Sequence, residues 1–460
     1  MKASTIATAL TLSASSVLAA PQQLAARDDV TPITVKGNAF FKGNDRFYIR
    51  GVDYQPGGSS DLADPIADAD GCKRDIEKFK SLGLNTIRVY SVDNSKDHDE
   101  CMNALADAGI YLVLDVNTPK YSINRASPEI SYNDKYLQFI FATVDKFVKY
   151  KNTLAFFSGN EVINDGPSSV TAPYVKAVTR DLRNYMSARN YRQVPVGYSA
   201  ADVDTNRREM AEYMNCGTEE ERSDFFAFND YSWCSPSSFE KSGWDAKVKN
   251  FTGYGLPLFL SEYGCNTNTR DFGEVEALYS EKMTGVYSGG LVYEYSQEPS
   301  DYGLVKIKDN KVTELDDFDA LKKALEKTAN PEGDGGYNKT GGANPCPARN
   351  APNWDVSSED TLPAMPEPAK KYFENGAGEG PGFSGSGSQT AGTPSKSNTT
   401  NGEGNTVDGT ATSSSSGGDS SASGDSETDT GAAASLTVAP ALVGLFTVVS
   451  TMVGAGFVLF

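Results

Sequence analysis

Histidine is almost absent from this 460-residue chain, where His98 stands alone. A Ser-His-Asp or Cys-His site needs an imidazole to take the nucleophile's proton, so it would have to be built on that residue. His98 lies in the charged stretch NSKDHDE, which reads as a solvated loop or helix start and makes a poor centre for such a site. CxxC pairs are absent too, and no acidic cluster has calcium-loop spacing, so no metal or organic cofactor is implied. Positive charge is scarce: 42 Lys and Arg stand against 61 Asp and Glu, a net charge of −19. Such a surface repels phosphate, which excludes nucleic acid and anionic lipid as main partners. No GxGxxG opens the first helix, and this argues against a dinucleotide fold.

The ends of the chain lack charge in an informative way. After Lys2 an apolar stretch of small residues runs to Leu18-Ala19-Ala20, the pattern of a secretory signal peptide over residues 1–20. No charged residue follows Asp429, and Leu436 to Phe460 is apolar with no basic flank. A stop-transfer helix usually carries such a flank. Small residues Gly431 to Ala434 before an apolar tail fit instead a glycosylphosphatidylinositol (GPI) signal over residues 431–460, removed in the mature protein. Both ends place the protein outside the cell, on the plasma membrane or in the wall. Six cysteines, an even number, then favour three disulfides, with fifteen connectivities open. Asn250, Asn338 and Asn398 open N-x-S/T acceptor sites for glycosylation.

Between the ends, residues 31 to 330 alternate short β-branched or aromatic runs with amphipathic helical ones. A hairpin in AFFKGNDRFYIRGVDY leads into eight strand candidates with helices between most of them. That alternation, over about 300 residues, has the size of a (β/α)8 barrel; a doubly wound open sheet is the competing fold. Residues 21–350 form the expected catalytic domain, with residues 331–375 as an extended tail strapped on through Cys346. From Gly376 to Thr430 Ser, Gly, Thr and acids dominate, so a disordered stalk is expected within a linker spanning residues 351–430.

In such a barrel, active-site groups sit at the C-terminal ends of the strands. The residues found there are Tyr90, Asp115, Asn117, Asn160-Glu161, Asp202, Tyr231, Glu262 and Tyr293. Glu161 falls on the fourth strand candidate and Glu262 on the seventh, facing each other across the mouth. Paired carboxylates are what glycoside chemistry requires: one donates a proton to the leaving oxygen and the other, ionised, attacks the anomeric carbon. On this reading Asn160 binds the sugar 2-hydroxyl, and Tyr293 keeps Glu262 ionised by donating its hydroxyl hydrogen. Tyr231, Trp233 and Tyr295 are candidate faces for stacking sugar rings.

The blocks FYIRGVDYQPGG, NTIRVYSVD, NTPKYSINR, FFSGNEV, SAADVDTNRR, NDYSWC, LFLSEYGCN and GGLVYEYSQE occur in one order across residues 31 to 350. Together they resemble the fungal GPI-anchored β-1,3-glucanosyltransferases of glycoside hydrolase family 72. The resemblance implies a retaining (β/α)8 enzyme of wall assembly, with Glu161 as acid/base and Glu262 as nucleophile. It implies donor- or acceptor-site contacts for Tyr90, Asn160, Asp202, Arg207, Tyr231, Tyr293 and the loop from Asn117 to Arg125. It also implies the pairs Cys72–Cys101, Cys216–Cys346 and Cys234–Cys265. The cysteine-rich carbohydrate-binding module of some members is not expected, because no cysteine follows Cys346. The implied partners are β-1,3-glucan donor and acceptor chains, met by a monomer held to the membrane by its lipid. Two alternatives accompany this reading: a secreted endo-β-1,3-glucanase using the same two acids, and a non-catalytic glucan-binding wall protein.

Overall fold

The computed structural model describes residues 30–60, 62–358 and 360–390. Strands β1 (Ile33–Lys36), β2 (Ala39–Lys42) and β3 (Asp45–Phe47) form an antiparallel meander. The eight strands that follow are β4 (Ile49–Asp53), β5 (Thr86–Val89), β6 (Tyr111–Asp115) and β7 (Thr153–Asn160). They continue with β8 (Val196–Ala201), β9 (Phe225–Asp230), β10 (Leu258–Tyr263) and β11 (Tyr287–Val292). Each pairs in parallel with its neighbour in sequence, and β11 returns to β4 to close the ring. This is the (β/α)8 barrel, and the open-sheet alternative is excluded.

Covered on both faces, these strands are apolar almost throughout, as parallel strands must be. Val113, Leu154, Phe157, Phe225, Phe259 and Leu291 fill the interior. At the N-terminal mouth Phe40 of the meander packs on Phe225 and Phe259, with ring centroids 6.1 and 5.9 Å away, so the hairpin acts as the barrel's plug. Gly197 leaves room for this packing, since a Cβ there would lie 2.4 Å from the Phe225 carbonyl oxygen.

Helices cover the outside. Asn133 starts the helix Asp134–Phe147 by accepting the backbone N–H groups of Lys135 and Tyr136 at 3.1 and 3.0 Å. Three helices of eight residues or more that the sequence reading lacked are present: Arg207–Met214, Trp244–Phe251 and Asp316–Lys327. The first two span eight residues each, too short for a helical period to stand out. The expected single helix in EVEALYSEKM is broken into Glu274–Leu278 and Glu281–Thr284. A hairpin, β12 (Val305–Lys308) and β13 (Lys311–Glu314), lies between the barrel and its last long helix. All six cysteines pair as the resemblance implied: Cys72–Cys101, Cys216–Cys346 and Cys234–Cys265.

Two expectations are corrected. His98 is not solvated: it is 2% exposed, its Nε2 lies 2.8 Å from Asp64 Oδ2 and its ring packs on Phe147. The tail, moreover, is packed well past residue 350. Asp355 N–H donates to Ser169 Oγ, buried Trp354 packs on Tyr213, and Phe373 packs on Phe141 and Tyr185. Residues 376–390, expected as the start of the stalk, are packed too: the Ala377 N–H donates to Asp145 and Tyr185 on the outer helices, and residues 380–389 lie against loops on the C-terminal side of the barrel. Glycine makes this possible. A Cβ at Gly380 would stand 2.1 Å from Asn94 Oδ1, and one at Gly385 would stand 2.1 Å from the Tyr121 hydroxyl. The segment is held by backbone hydrogen bonds at close approach rather than by apolar area, so its composition reads as disorder. The stalk from residue 391 and both end signals lie outside the described residues, as does Asn398. Of the other acceptor asparagines, Asn250 is exposed and Asn338 is half-buried.

Candidate active site

Glu262 is the seventh barrel strand's contribution to the rim and sits 7% exposed. Three donors converge on it. Tyr90 Oη donates to Oε1 at 2.8 Å, Tyr231 Oη to Oε2 at 2.6 Å, and Arg88 Nη1 to Oε1 at 3.2 Å. Arg88 is fully buried on β5, between the rings of Tyr90 and Phe157, and is fixed by Asp115 through contacts of 2.8 and 3.2 Å. Below it, Asp53 is wholly buried with neither carboxylate oxygen hydrogen-bonded, and burial holds it well above the usual carboxylate range. Burial likewise pushes Glu262 up to about 7 against the pull of Arg88; the neighbouring Glu161 charge adds to the rise, and the Tyr231 and Tyr90 hydroxyls oppose it. Burial keeps both of those hydroxyls protonated far beyond neutral pH, so each acts toward Glu262 as a donor.

Glu161 follows the end of β7 with φ 46°, a left-handed conformation that costs a side-chain-bearing residue about 1–3 kcal/mol. Its N–H donates to the Ser199 carbonyl at 2.9 Å. Its own carbonyl accepts from Arg125, whose Nε also donates to the Val162 carbonyl at 2.6 Å. Asn229 Nδ2 donates to Glu161 Oε1 at 2.9 Å, and Asn229 is the ladder partner of Glu262. One asparagine therefore links the two acids, which share a single site. Asn160 Oδ1 accepts from Ser199 Oγ at 2.7 Å, and Ser199 is tied to Ser261 at 2.8 Å.

The remaining expected residues divide by position. Tyr293 is on the rim, but its hydroxyl pairs with Ser59 Oγ at 3.1 Å and not with Glu262; the donor role assigned to it belongs to Tyr231 and Tyr90. Tyr295 is fully buried behind the barrel, donates to Asp75 at 2.8 Å and packs on Tyr54 and Phe79, so it offers no face to a sugar. Trp233 is 8% exposed and packs on Trp244, which likewise removes it as a platform. Tyr231 stays half-buried, edge-on to Tyr293 and Tyr302. Asp202 pairs with Arg207 and with Lys247 Nζ at 2.6 Å, and Lys247 also holds Asp230 at 2.7 Å. Asn117 Oδ1 accepts from Tyr136, and Arg125 holds the backbone under Glu161.

Sequence reasoning passed over Arg88, Asn229 and Lys247. The first carried a signal, since it is the single charge inside the apolar strand NTIRV. Asn229 sat one residue inside the strand end that was credited to Tyr231. Lys247 lay on an unrecognised helix.

The Glu262 environment yields a pH prediction. Tyr231→Phe removes a donor that favours the ionised carboxylate, so the nucleophile's pKa rises. A hydrogen bond to a charged group is worth about 1.5–3 kcal/mol, which corresponds to roughly one to two pH units. The acidic limb of the kcat/KM profile is expected to move upward by that much. An unmoved limb would remove Tyr231 from control of the nucleophile.

A parallel barrel that presents a linked pair of glutamates on its fourth and seventh strands, one gripped by tyrosine and arginine donors, defines a glycoside-processing enzyme. The chain belongs to the glucanosyltransferase family, glycoside hydrolase family 72, whose model matches residues 22–329. It is 77% identical over 459 residues to the 1,3-beta-glucanosyltransferase gel1 of Aspergillus fumigatus, with all of both chains covered. It is 54% identical over 363 residues to the 1,3-beta-glucanosyltransferase GAS5 of Saccharomyces cerevisiae, covering 78% of this chain and 75% of that one. Among solved structures, Saccharomyces cerevisiae Gas2 in complex with laminaritriose and laminaritetraose superposes with a TM-score of 0.69. The two are 39% identical over 74% of this chain and 78% of that one.

Proposed function

We propose that the protein is an extracellular 1,3-β-glucanosyltransferase that cleaves β-1,3-glucan internally and joins the fragment bearing the new reducing end to another glucan chain. The observation that carries the chemistry is the pairing of Glu262, surrounded by donors, with Glu161 through Asn229. A Glu262 oxygen attacks the anomeric carbon while the Glu161 carboxyl protonates the departing 3-oxygen, and a covalent glycosyl-enzyme forms. Glu161, now a carboxylate, then takes the proton from an acceptor hydroxyl, whose oxygen displaces Glu262 and forms the new bond. Two inversions retain the β configuration. Asn160 is suited to the 2-hydroxyl. The rim groups Tyr90, Asn117, Asp202, Arg207, Tyr231 and Tyr293 are suited to binding donor or acceptor sugars.

The protein acts as a monomer at the outer face of the plasma membrane or in the wall, delivered by its signal peptide and held by a GPI lipid. The apolar tail preceded by small residues supports this.

Transfer differs from hydrolysis only in which hydroxyl displaces Glu262. Incubation with a linear β-1,3-glucan oligosaccharide of single length is expected to give products both shorter and longer than the start, read as masses over time. Shorter products alone would make the protein an endo-glucanase; unchanged substrate that is still bound would make it a binding protein.

A further inference from the structure

The C-terminal strap lies beyond residue 329, where the match to the family model ends, and reaches the loop that supports the acid. We infer that residues 380–389 are a positioning element for Glu161, acting through the loop after β6 and Arg125. This rests on the proposed role of Glu161 as the acid/base.

The contacts form a continuous path. On the strap, the Gly382 N–H donates to the fully buried Asn94 Oδ1 at 3.0 Å, and the Phe383 carbonyl accepts from Lys120 Nζ at 2.8 Å. Ser388 is fully buried; its N–H donates to the Lys120 carbonyl at 2.9 Å and its own carbonyl accepts from Asn133 Nδ2 at 2.8 Å. Gln389 Nε2 donates to the carbonyl and hydroxyl of Ser122 at 2.9 and 3.1 Å. The strap thus grips residues 120, 122 and 133, which bracket Arg125. From that loop Arg125 reaches the carbonyls of Glu161 and Val162.

The device has a physical purpose. Glu161 is held at φ 46°, and a strained backbone persists only where its surroundings over-determine it. Arg125 contacts the two carbonyls that follow the strained bond, but it sits on a loop between β6 and the helix Asp134–Phe147, with one short helical turn of its own, Pro128–Ser131. Without the strap that loop loses the bonds to Lys120 and Ser122, and the Arg125 guanidinium loses its fixed origin. The acid can then relax away from the departing oxygen, and a displacement of about 1 Å is enough to cost roughly 100-fold in rate.

The test uses the full chain carrying Gly382→Val. That residue has φ 58°, and a Cβ would stand 2.3 Å from Asp93 Oδ1, so a β-branched side chain lifts the strap. Gln389→Ala is the milder second variant, deleting the two bonds from the strap to Ser122. Three readouts are taken: amide exchange across residues 117–131, turnover of β-1,3-glucan, and kcat/KM for an aryl laminari-oligosaccharide. With a nitrophenyl group as the aryl, the leaving group departs as the nitrophenolate anion, so the first step does not need the acid. We expect faster exchange, a roughly 10- to 100-fold loss of kcat on glucan, and kcat/KM on the aryl donor within about twofold of wild type. Gln389→Ala is expected to show the same pattern at smaller size. Faster exchange with unchanged glucan turnover would overturn the inference, as would equal losses on both donors, which mark a general scaffold. If the wild-type chain turned over neither donor, the catalytic reading beneath it would fall first.

Discussion

Glu262→Gln is expected to leave glucan bound and unreacted. The amide has the shape of the carboxylate: its oxygen can take the Oε1 place and accept from Tyr90 and Arg88, its NH2 can donate to the Tyr231 oxygen, and Arg88 keeps its two contacts with Asp115, so the site stays folded. What is lost is the anionic oxygen that forms the bond to the anomeric carbon. Nucleophiles that act as a unit with their partners cost about 10⁴-fold or more in kcat when removed. Calorimetric binding of a laminari-oligosaccharide should survive within a small factor while product formation disappears. Residual turnover within tenfold of wild type would show that another group attacks the sugar.

Glu161→Gln should behave differently, because it removes a proton rather than a bond. Turnover of glucan is expected to fall by about 10²- to 10⁴-fold, the usual contribution of a positioned acid or base. An aryl donor, whose leaving group departs unprotonated, should still form the glycosyl-enzyme at close to the normal rate. The intermediate then waits for a base that is missing. Azide, a small anion that needs no proton taken from it, should restore turnover and yield the β-glycosyl azide. An α-azide would contradict two successive inversions. Equal losses on both donors, with no azide effect, would take the acid/base role away from Glu161.

Both expectations draw on residues that could be read before any fold was known. AFFSGNE and PLFLSEYG each end an apolar strand in a polar turn, and strand counting alone put their acids on the fourth and seventh strands. It succeeded because the strand period is local and the connections are ordered, so the rim of a parallel barrel is spelled out by strand ends. The tyrosines were harder. Three of them, Tyr90, Tyr231 and Tyr293, were read at strand ends, and Tyr293 looked as well placed as Tyr231 to serve Glu262. Adjacency alone does not decide between them, since β9 and β11 both pair with β10; the side-chain contacts do, with Tyr231 reaching Glu262 while Tyr293 at the end of β11 turns to Ser59.

The sequence by itself determined the barrel, the order of its strands and the two acids, because each depends on short-range pattern. Only the tertiary structure decided what surrounds those acids. Arg88 lies 174 residues from Glu262, and Asn229 lies 68 from Glu161; such partners are set by closure of the ring, which no local window contains. The strap shows the limit most plainly. A Gly- and Ser-rich run has too little apolar surface to fold alone, yet Gly382 and Ser388 find hydrogen-bonding partners more than 250 residues away, where their small size admits close approach. Composition measures what a segment can bury by itself; it does not record what a finished barrel offers to hold it.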